Sequence, residues 1–110
     1  MLQIIGTPSS RETQKAVRYC KERRIPFQLL DISKKELSER EWASVFSSVT
    51  DISTLIDKDS KLYKSKGYAY MEFDAETELK ENPSLLLLPI LRCKGKAHSG
   101  FDASFIEATK

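Results

Sequence analysis

The chain has 110 residues, a formal net charge of +2 and a charged fraction of 31%. That length suits one domain, and the interspersed acids and bases exclude the basic stripe that is typical of nucleic-acid binders. No apolar run approaches the roughly 18 residues that a membrane span needs, and the N-terminus lacks the basic region of a signal peptide. We therefore expect a cytoplasmic, monomeric protein that binds neither nucleic acid nor a membrane.

The first third of the chain predicts a strand, a helix and a second strand. Residues 2–5 are a short apolar run. Ser9 with Glu12 three residues later is a capping-box pattern, which predicts a helix that starts at about Ser10 and ends before a proline. Residues 27–32 predict the second strand, and it should lie parallel to the first because a helix connects the two.

The middle of the chain predicts helices, and its end predicts a hairpin followed by a helix. Polar residues that can cap a helix or turn recur before the apolar stretches of the middle segment, namely Ser38, Asp51 or Ser53, Ser60 and Asp74. Residues 89–92 predict a strand, and the Lys-Gly pair at 94–95 predicts the turn to a partner strand at 97–99. Asp102 then caps a last helix over residues 103–108.

This order of elements is that of an α/β, thioredoxin-like fold (β-α-β, a helical insertion, β-β-α) with a mixed four-stranded sheet. We expect one domain over residues 1–110. Its thioredoxin core would comprise residues 1–35 and 83–110, and the helical insertion would comprise residues 36–82.

Four stretches resemble the arsenate reductase (ArsC)/Spx family in that family's own order and spacing. Residues 6–16 are similar to the family's first loop and helix, where a cysteine is followed by Arg-Glu-Thr-type residues. Residues 25–32 resemble its second strand, residues 62–67 its Tyr-Lys-x-x-Gly stretch, and residues 82–101 its closing signature. The resemblance implies a relation to glutaredoxin-type arsenate reductases, for which glutathione is a co-substrate.

The resemblance places the family's chemistry at positions that have changed in this sequence. The nucleophilic cysteine corresponds to Ser10, and the second cysteine of a Spx-type pair corresponds to Thr13. A helix N-terminus favours a thiolate, but a serine hydroxyl is not ionised at pH 7 and forms no disulfide. The arginine before the loop proline corresponds to Leu88, and a second family arginine falls on Asp57 by an ungapped count. The resemblance therefore implies a scaffold without its reductase chemistry.

Four further residues complete the candidate site. Thr7, Ser9 and Arg11 surround the start of the first helix, where free N–H groups can hold a small anion or a carboxylate of glutathione. By the resemblance, Pro89 is the cis-proline that faces this loop. The alternative is that Ser9 and Ser10 only cap the helix.

The remaining chemically active side chains have structural interpretations. Cys20 falls on the apolar face of the first helix with Thr13, Ala16, Val17 and Arg24, which predicts a buried structural thiol. Cys93 lies beside a turn, so we expect it to be exposed, either as an incidental surface thiol or as a substitute thiol that glutathione modifies. His98 is expected to be solvated or paired. No metal-ligand spacing occurs, so we expect no metal and no bound cofactor.

Three functions remain open from the sequence. The first is a degenerate family member that lacks conventional thiol reductase activity. The second is a Spx-like regulatory protein that docks on RNA polymerase or another protein, for which an aromatic cluster could be either insertion core or a docking patch: Tyr68, Tyr70, Met71 and Phe73. A passive anion or peptide binder is a third reading.

The origin of Ser10 is open as well. It is either native or an engineered Cys→Ser change, and Leu88 favours the native origin because replacing one nucleophile would leave the arginine in place.

Overall fold

The computed structural model describes residues 1–109, except for the side chain of Ala69. Four strands form one mixed sheet in the order β2-β1-β3-β4: β1 (Leu2–Gly6), β2 (Phe27–Asp31), β3 (Ile90–Cys93) and β4 (Lys96–Ser99). β1 is parallel to β2, and β3 is antiparallel to both β1 and β4. This topology confirms the predicted α/β fold with a mixed four-stranded sheet.

Five α-helices are described in this part of the chain: α1 (Arg11–Glu22), α2 (Glu39–Ser47), α3 (Lys61–Ser65), α4 (Ala75–Glu81) and α5 (Ala103–Glu107). Short 3-10 turns at Ile52–Leu55, Tyr68–Tyr70 and Pro83–Leu85 connect the helices between β2 and β3. Among residues 1–109, no helix is long and apolar enough to cross a lipid bilayer.

The two faces of the sheet bury two different clusters, because successive side chains of a strand point to opposite faces. Ile5 of β1 packs with residues of the helical segment, including Trp42 and Leu55. Its neighbour Ile4 packs on the other face with Cys20 of α1 and Ile106 of α5. The sheet thereby joins the helical segment on one side to α1 and α5 on the other.

The helix starts follow the predicted caps, with one correction at α1. The predicted capping box between Ser9 and Glu12 is wrong, because Ser10 is the N-cap: its Oγ accepts a hydrogen bond from the backbone N–H of Thr13 at 3.2 Å. Glu12 is then the second helical residue, one position too early for the box. The end of α1 needs a correction too, since Arg24 lies beyond the helix, exposed and with a φ of 56°.

Caps predicted elsewhere form as expected, except that Asp74 precedes α4 without a hydrogen bond from its side chain to the helix backbone. Ser38 and Glu41 make a complete capping box on α2, with reciprocal hydrogen bonds of 2.8 and 3.2 Å. Asp102 accepts hydrogen bonds from the first N–H groups of α5. The predicted hairpin turn also forms, since Lys94 and Gly95 both have positive φ values, 52° and 79°, as a two-residue turn of type I′ requires.

The aromatic cluster of the helical segment divides between the two predicted alternatives. Tyr68 is buried and its ring lies 4.9 Å from that of Phe73, while its hydroxyl donates to Glu78 at 2.9 Å. Burial, followed by this hydrogen bond, raises the pKa of Tyr68. Tyr70, at 95% exposure, and Met71, at 48%, face solvent instead. The segment therefore has an aromatic core and a small exposed patch beside it.

Candidate functional site

The loop after β1 turns tightly into α1. The backbone N–H of Ser10 donates to the carbonyl of Thr7 at 3.1 Å, and the hydroxyl groups of Thr7 and Ser9 lie 3.2 Å apart. The side-chain amide of Gln14 donates to the carbonyl of Pro8. These contacts hold the loop against the first turn of the helix, with Arg11 exposed at the first helical position.

Ser10, which the resemblance assigns to the position of the family's nucleophile, serves as a helix cap. Its Oγ accepts from the N–H of Thr13. Among residues 1–109, no histidine, lysine or carboxylate makes a hydrogen bond to this oxygen. A serine becomes a nucleophile only when a neighbouring base takes its proton. The geometry therefore supports capping and ligand contact at Ser10, and it supplies no means of activating the hydroxyl.

Thr13, at the position of the second family cysteine, is buried beneath the loop. It is 2% exposed, and its Oγ1 has no hydrogen-bond partner among the described residues. Its side chain packs directly against Gly6, where an added Cβ would lie 2.2 Å from Oγ1 and 2.6 Å from Cγ2. The close approach of α1 to β1 thus requires glycine at position 6, and it leaves Thr13 without access to solvent.

The Leu88–Pro89 corner has the backbone that the resemblance implies. The peptide bond between these two residues is cis. The carbonyl of Pro89 accepts from the N–H of Gly100 at 2.8 Å, and Ser99 Oγ donates to the carbonyl of Leu87 at 2.8 Å. Leu88 is partly buried against the cluster of the helical segment. This corner has no side-chain donor at the position of the family's arginine.

Asp57, assigned by the resemblance to a second family arginine, and Arg92, which follows Pro89 in β3, both have other contacts. Asp57 Oδ1 accepts from the N–H of Asp59 at 3.0 Å, and Asp57 lines a separate cavity of about 410 Å³. Arg92 Nη1 donates to Gln3 Oε1 at 2.6 Å. Gln3 precedes Gly6 by three residues on β1, which is about 10 Å along the strand. Arg92 is therefore remote from the loop and does not replace the missing arginine.

A cleft that sequence reasoning missed lies beside Thr7. Its volume is about 310 Å³, and it is lined by polar residues from three loops, including Ser33, Asn82 and Ser84, together with Glu81. Ser33 donates twice to Asp31, and these hydrogen bonds lower the pKa of that carboxyl group. No cation lines the cleft among the described residues. Loops that follow parallel strands meet at one edge of a sheet. Because β1 and β2 are predicted to be parallel, this rule could have indicated that the loops with Thr7 and Ser33 lie close together.

Both thiols are buried, which confirms the expectation for Cys20 and corrects that for Cys93. Cys20 is fully buried in α1, and burial together with the Glu107 carboxylate raises the pKa of its thiol. Cys93 was expected to be exposed, but its residue is only 9% exposed. It follows Leu91 by two positions in β3, so strand alternation turns both side chains toward the α1 and α5 face.

The single histidine is paired, in agreement with one of its predicted states. His98 Nε2 lies 3.4 Å from Asp102 Oδ2, and Nδ1 lies 3.3 Å from the carbonyl of Gly100. Within residues 1–109, no group of three or more His, Cys, Asp or Glu side chains is arranged to hold a metal ion. The predicted site residues therefore fall into two groups. Thr7, Ser9, Ser10 and Arg11 lie together at the loop before α1, and Leu88 and Pro89 lie at the corner before β3.

Comparison with known proteins gives the same fold and a family. Arsenate reductase from Vibrio cholerae superposes with a TM-score of 0.80 at 16% sequence identity, covering 99% of this chain and 97% of that chain. An ArsC-related protein from Brucella melitensis superposes with a TM-score of 0.72 at 19% identity, covering 97% and 92%. A search of curated proteins finds no match. A sequence model of the ArsC family matches residues 5–109, and the chain, with its thioredoxin-like fold, therefore belongs to the ArsC family.

Proposed function

We propose that this chain is an ArsC-family protein without thiol-dependent reductase activity, and that its Ser10 site binds a ligand instead of reacting with it. The observation that carries the proposal is the serine at the start of α1. Its hydroxyl accepts from the N–H of Thr13, and within residues 1–109 no basic side chain hydrogen-bonds to it. A hydroxyl in this setting forms neither an adduct with arsenate nor a mixed disulfide with glutathione.

The other thiols of the chain are poor substitutes for the missing nucleophile. The thiolate is the reactive form of cysteine, and burial in apolar surroundings disfavours it. Cys20 is fully buried with a raised pKa, and Cys93 is buried against α5. Reaction at Cys20 would require the local structure to open first. Cys93 lines an open cavity beside α5, but it lies on a strand and gains no stabilisation of a thiolate from a helix N-terminus.

The anion-binding side of the reductase site is also weakened. Leu88 brings no donor next to Pro89, and Arg92 is engaged with Gln3 at the far end of β1. Loss of a bidentate arginine lowers anion affinity by on the order of 2–5 kcal/mol. What remains is the N-terminus of α1 with Thr7, Ser9 and Arg11, which suits a small anion or a carboxylate of glutathione held weakly.

A second candidate function is protein binding in the manner of Spx, by docking on RNA polymerase or another protein. The exposed pair of Tyr70 and Met71 favours it, because large apolar side chains in contact with water are typical of partner surfaces. Co-elution with purified RNA polymerase tests this candidate. A Tyr70→Ser variant should lose co-elution, and the exposed Leu87→Ser variant should keep it.

The test of the main proposal is intact mass and turnover with arsenate, glutathione and glutaredoxin. We expect no glutathione adduct and no arsenate reduction for the chain as it stands. Ser10→Cys should acquire the adduct, and Ser9→Cys is the matched control because it places a thiol one residue before the helix cap. Arsenate turnover by the unaltered chain would refute the proposal, and loss of that turnover in Cys93→Ser or Cys20→Ser would identify the thiol responsible.

A further inference from the structure

A groove separates the outer flank of α1 from the edge strand β2. The parallel register pairs Ile4 with Leu29, so Leu29 lies on the same face of the sheet as Ile4, under α1. At the edge of the sheet the helix does not cover it fully, and Leu29 is 41% exposed. The result is an open cavity of about 460 Å³ whose helical wall follows i, i+3, i+4, i+7 spacing: Gln14, Val17, Arg18 and Lys21.

The backbone of β2 is open for pairing on this side. β2 is the first strand in the sheet order, and no strand among residues 1–109 pairs with its outer edge. Proteins protect such edges with lysine, proline or a bulge. The sequence Phe27–Asp31 has neither lysine nor proline, and its register against β1 runs without a bulge. The outer edge of β2 therefore has no strand partner next to the apolar groove floor. At its end the carbonyl of Asp31 accepts from the N–H groups of Lys34 and Lys35 at 3.0 and 3.1 Å, which leaves the edge before Asp31 for pairing.

The rim of the groove carries one sign of charge. Arg18 and Lys21 line it and are exposed, and no carboxylate is among its described lining residues. The apolar floor is Val17 and Leu29. An extended peptide with acidic side chains and one apolar side chain on the same face matches this arrangement, because alternate residues of a strand share a face.

We propose that the groove between α1 and β2 is a docking site for an extended acidic segment of another protein, which adds a fifth strand to the sheet. The apolar side chain of the segment lies on Val17 and Leu29, and its carboxylates face Arg18 and Lys21. Main-chain hydrogen bonds supply affinity in such strand addition, and the pockets for alternate side chains supply specificity. One end of the groove reaches Thr7 of the loop before α1, but the proposed contacts use neither Ser10 nor Leu88 and do not depend on the proposed loss of reductase activity.

Charge argues against a second copy of this chain as the occupant. Two-fold pairing of β2 with β2 would bring the Arg18 and Lys21 rims of both copies together, and like charges facing each other oppose association. Asp31, the only carboxylate of β2, already accepts hydrogen bonds from Ser33. An acidic partner avoids this repulsion.

The test uses a fluorescein-labelled peptide, Glu-Thr-Leu-Thr-Glu-Thr-amide, and the matched peptide with lysine in place of glutamate. Binding to the full chain is followed by fluorescence anisotropy at low salt and by backbone amide shifts in NMR. We expect only the acidic peptide to bind, with the largest shifts in residues 27–31. Lys21→Glu should weaken binding about tenfold, whereas Lys15→Glu, on another side of the same helix, should change it less than about twofold.

A second pair of variants, matched in side-chain exposure, tests the apolar floor. Leu29→Ser removes a partly exposed side chain and should weaken binding about tenfold, while the similarly exposed Leu87→Ser should leave it unchanged. The proposal is overturned if the acidic peptide does not bind, if the lysine peptide binds equally well, if Lys21→Glu and Lys15→Glu act alike, or if the shifts in residues 27–31 arise from self-association of the chain.

Discussion

The two ends of one helix place hydroxyl and thiol in opposite environments. At the first turn of α1, position 10 is partly exposed and faces the positive end of the helix dipole, where a thiolate would be stabilised, but the residue there is serine. In the last turns, Cys20 carries a thiol that burial keeps protonated. The thiol in α1 therefore lies where reaction is disfavoured, and the N-terminal position that would favour a thiolate carries a hydroxyl instead.

Among the variants that test this contrast, a substitution at Gly6 should change stability most, because Gly6 allows the first turn of α1 to approach β1. Gly6→Ala places a Cβ 2.2 Å from Thr13 Oγ1, and we expect it to lower the free energy of unfolding by about 2–3 kcal/mol. Urea denaturation measures the change. Adding Thr13→Ala to Gly6→Ala should recover part of the loss, and additive effects of the two substitutions would contradict the contact.

Removal of the cap should have a smaller effect. Ser10→Ala leaves the N–H of Thr13 without its acceptor, and we expect a loss of about 1 kcal/mol in the free energy of unfolding. Ser9→Ala is the matched control, since among the described residues the hydroxyl of Ser9 hydrogen-bonds only with that of Thr7, and its cost should be within about 0.5 kcal/mol. Equal losses for both variants in urea denaturation would show that Ser10 is not the cap.

Thr13→Val should stabilise the protein. The buried Oγ1 of Thr13 has no hydrogen-bond partner among the described residues, so replacing the hydroxyl with a methyl group removes an uncompensated desolvation cost, which we expect to be about 1 kcal/mol. Thermal unfolding measures the gain. Thr77→Val serves as the control because its hydroxyl donates to Asp74 at the start of α4, and it should bring no gain. A loss in Thr13→Val would mean that Oγ1 does have a partner.

The smallest effect concerns the pH dependence of stability at alkaline pH. The pKa of Cys20 is raised in the folded protein, so the native state retains this proton at pH values where the unfolded chain loses it. The contribution is fully present below the unfolded pKa of about 8.5 and declines as the pH rises through the folded value. Cys20→Ala should flatten this decline.

Tyr19→Phe is the companion variant for the pH experiment, because the hydrogen bond to Glu107 raises the pKa of Tyr19 as well. Urea titrations between pH 8 and pH 10.5 separate the two groups. An unchanged profile in Cys20→Ala would contradict the assignment to the cysteine thiol.

Much of the fold follows from local pattern. The strand–helix–strand start, the Lys94-Gly95 turn and the Ser38 cap each depend on residues close together in the chain, and each formed as predicted. The sequence pattern could not decide whether Ser9 or Ser10 caps α1. Two adjacent serines have the same capping propensity, and only the backbone geometry of the loop selects Ser10.

The candidate site is less predictable because it is built across the chain. Cys93 was placed wrongly from its nearness to a turn, although its two-residue spacing from Leu91 was a usable signal for burial. The cleft beside Thr7 joins Ser33 to Asn82, and this contact depends on how the helical segment packs against the sheet. The roles of Thr7, Ser9, Arg11 and Pro89 as ligand contacts stay predictions.

The most direct test of the contrast within α1 is the rate of alkylation by iodoacetamide at pH 7, read residue by residue by mass spectrometry. In Ser10→Cys we expect the new thiol to react at least about 100-fold faster than Cys20 of the same folded molecule, since one lies at a helix N-terminus and the other is buried. Cys20 should react quickly only after unfolding in urea. Fast alkylation of Cys20 in the unaltered folded protein, or slow alkylation at position 10 in the variant, would contradict this contrast between the two ends of α1.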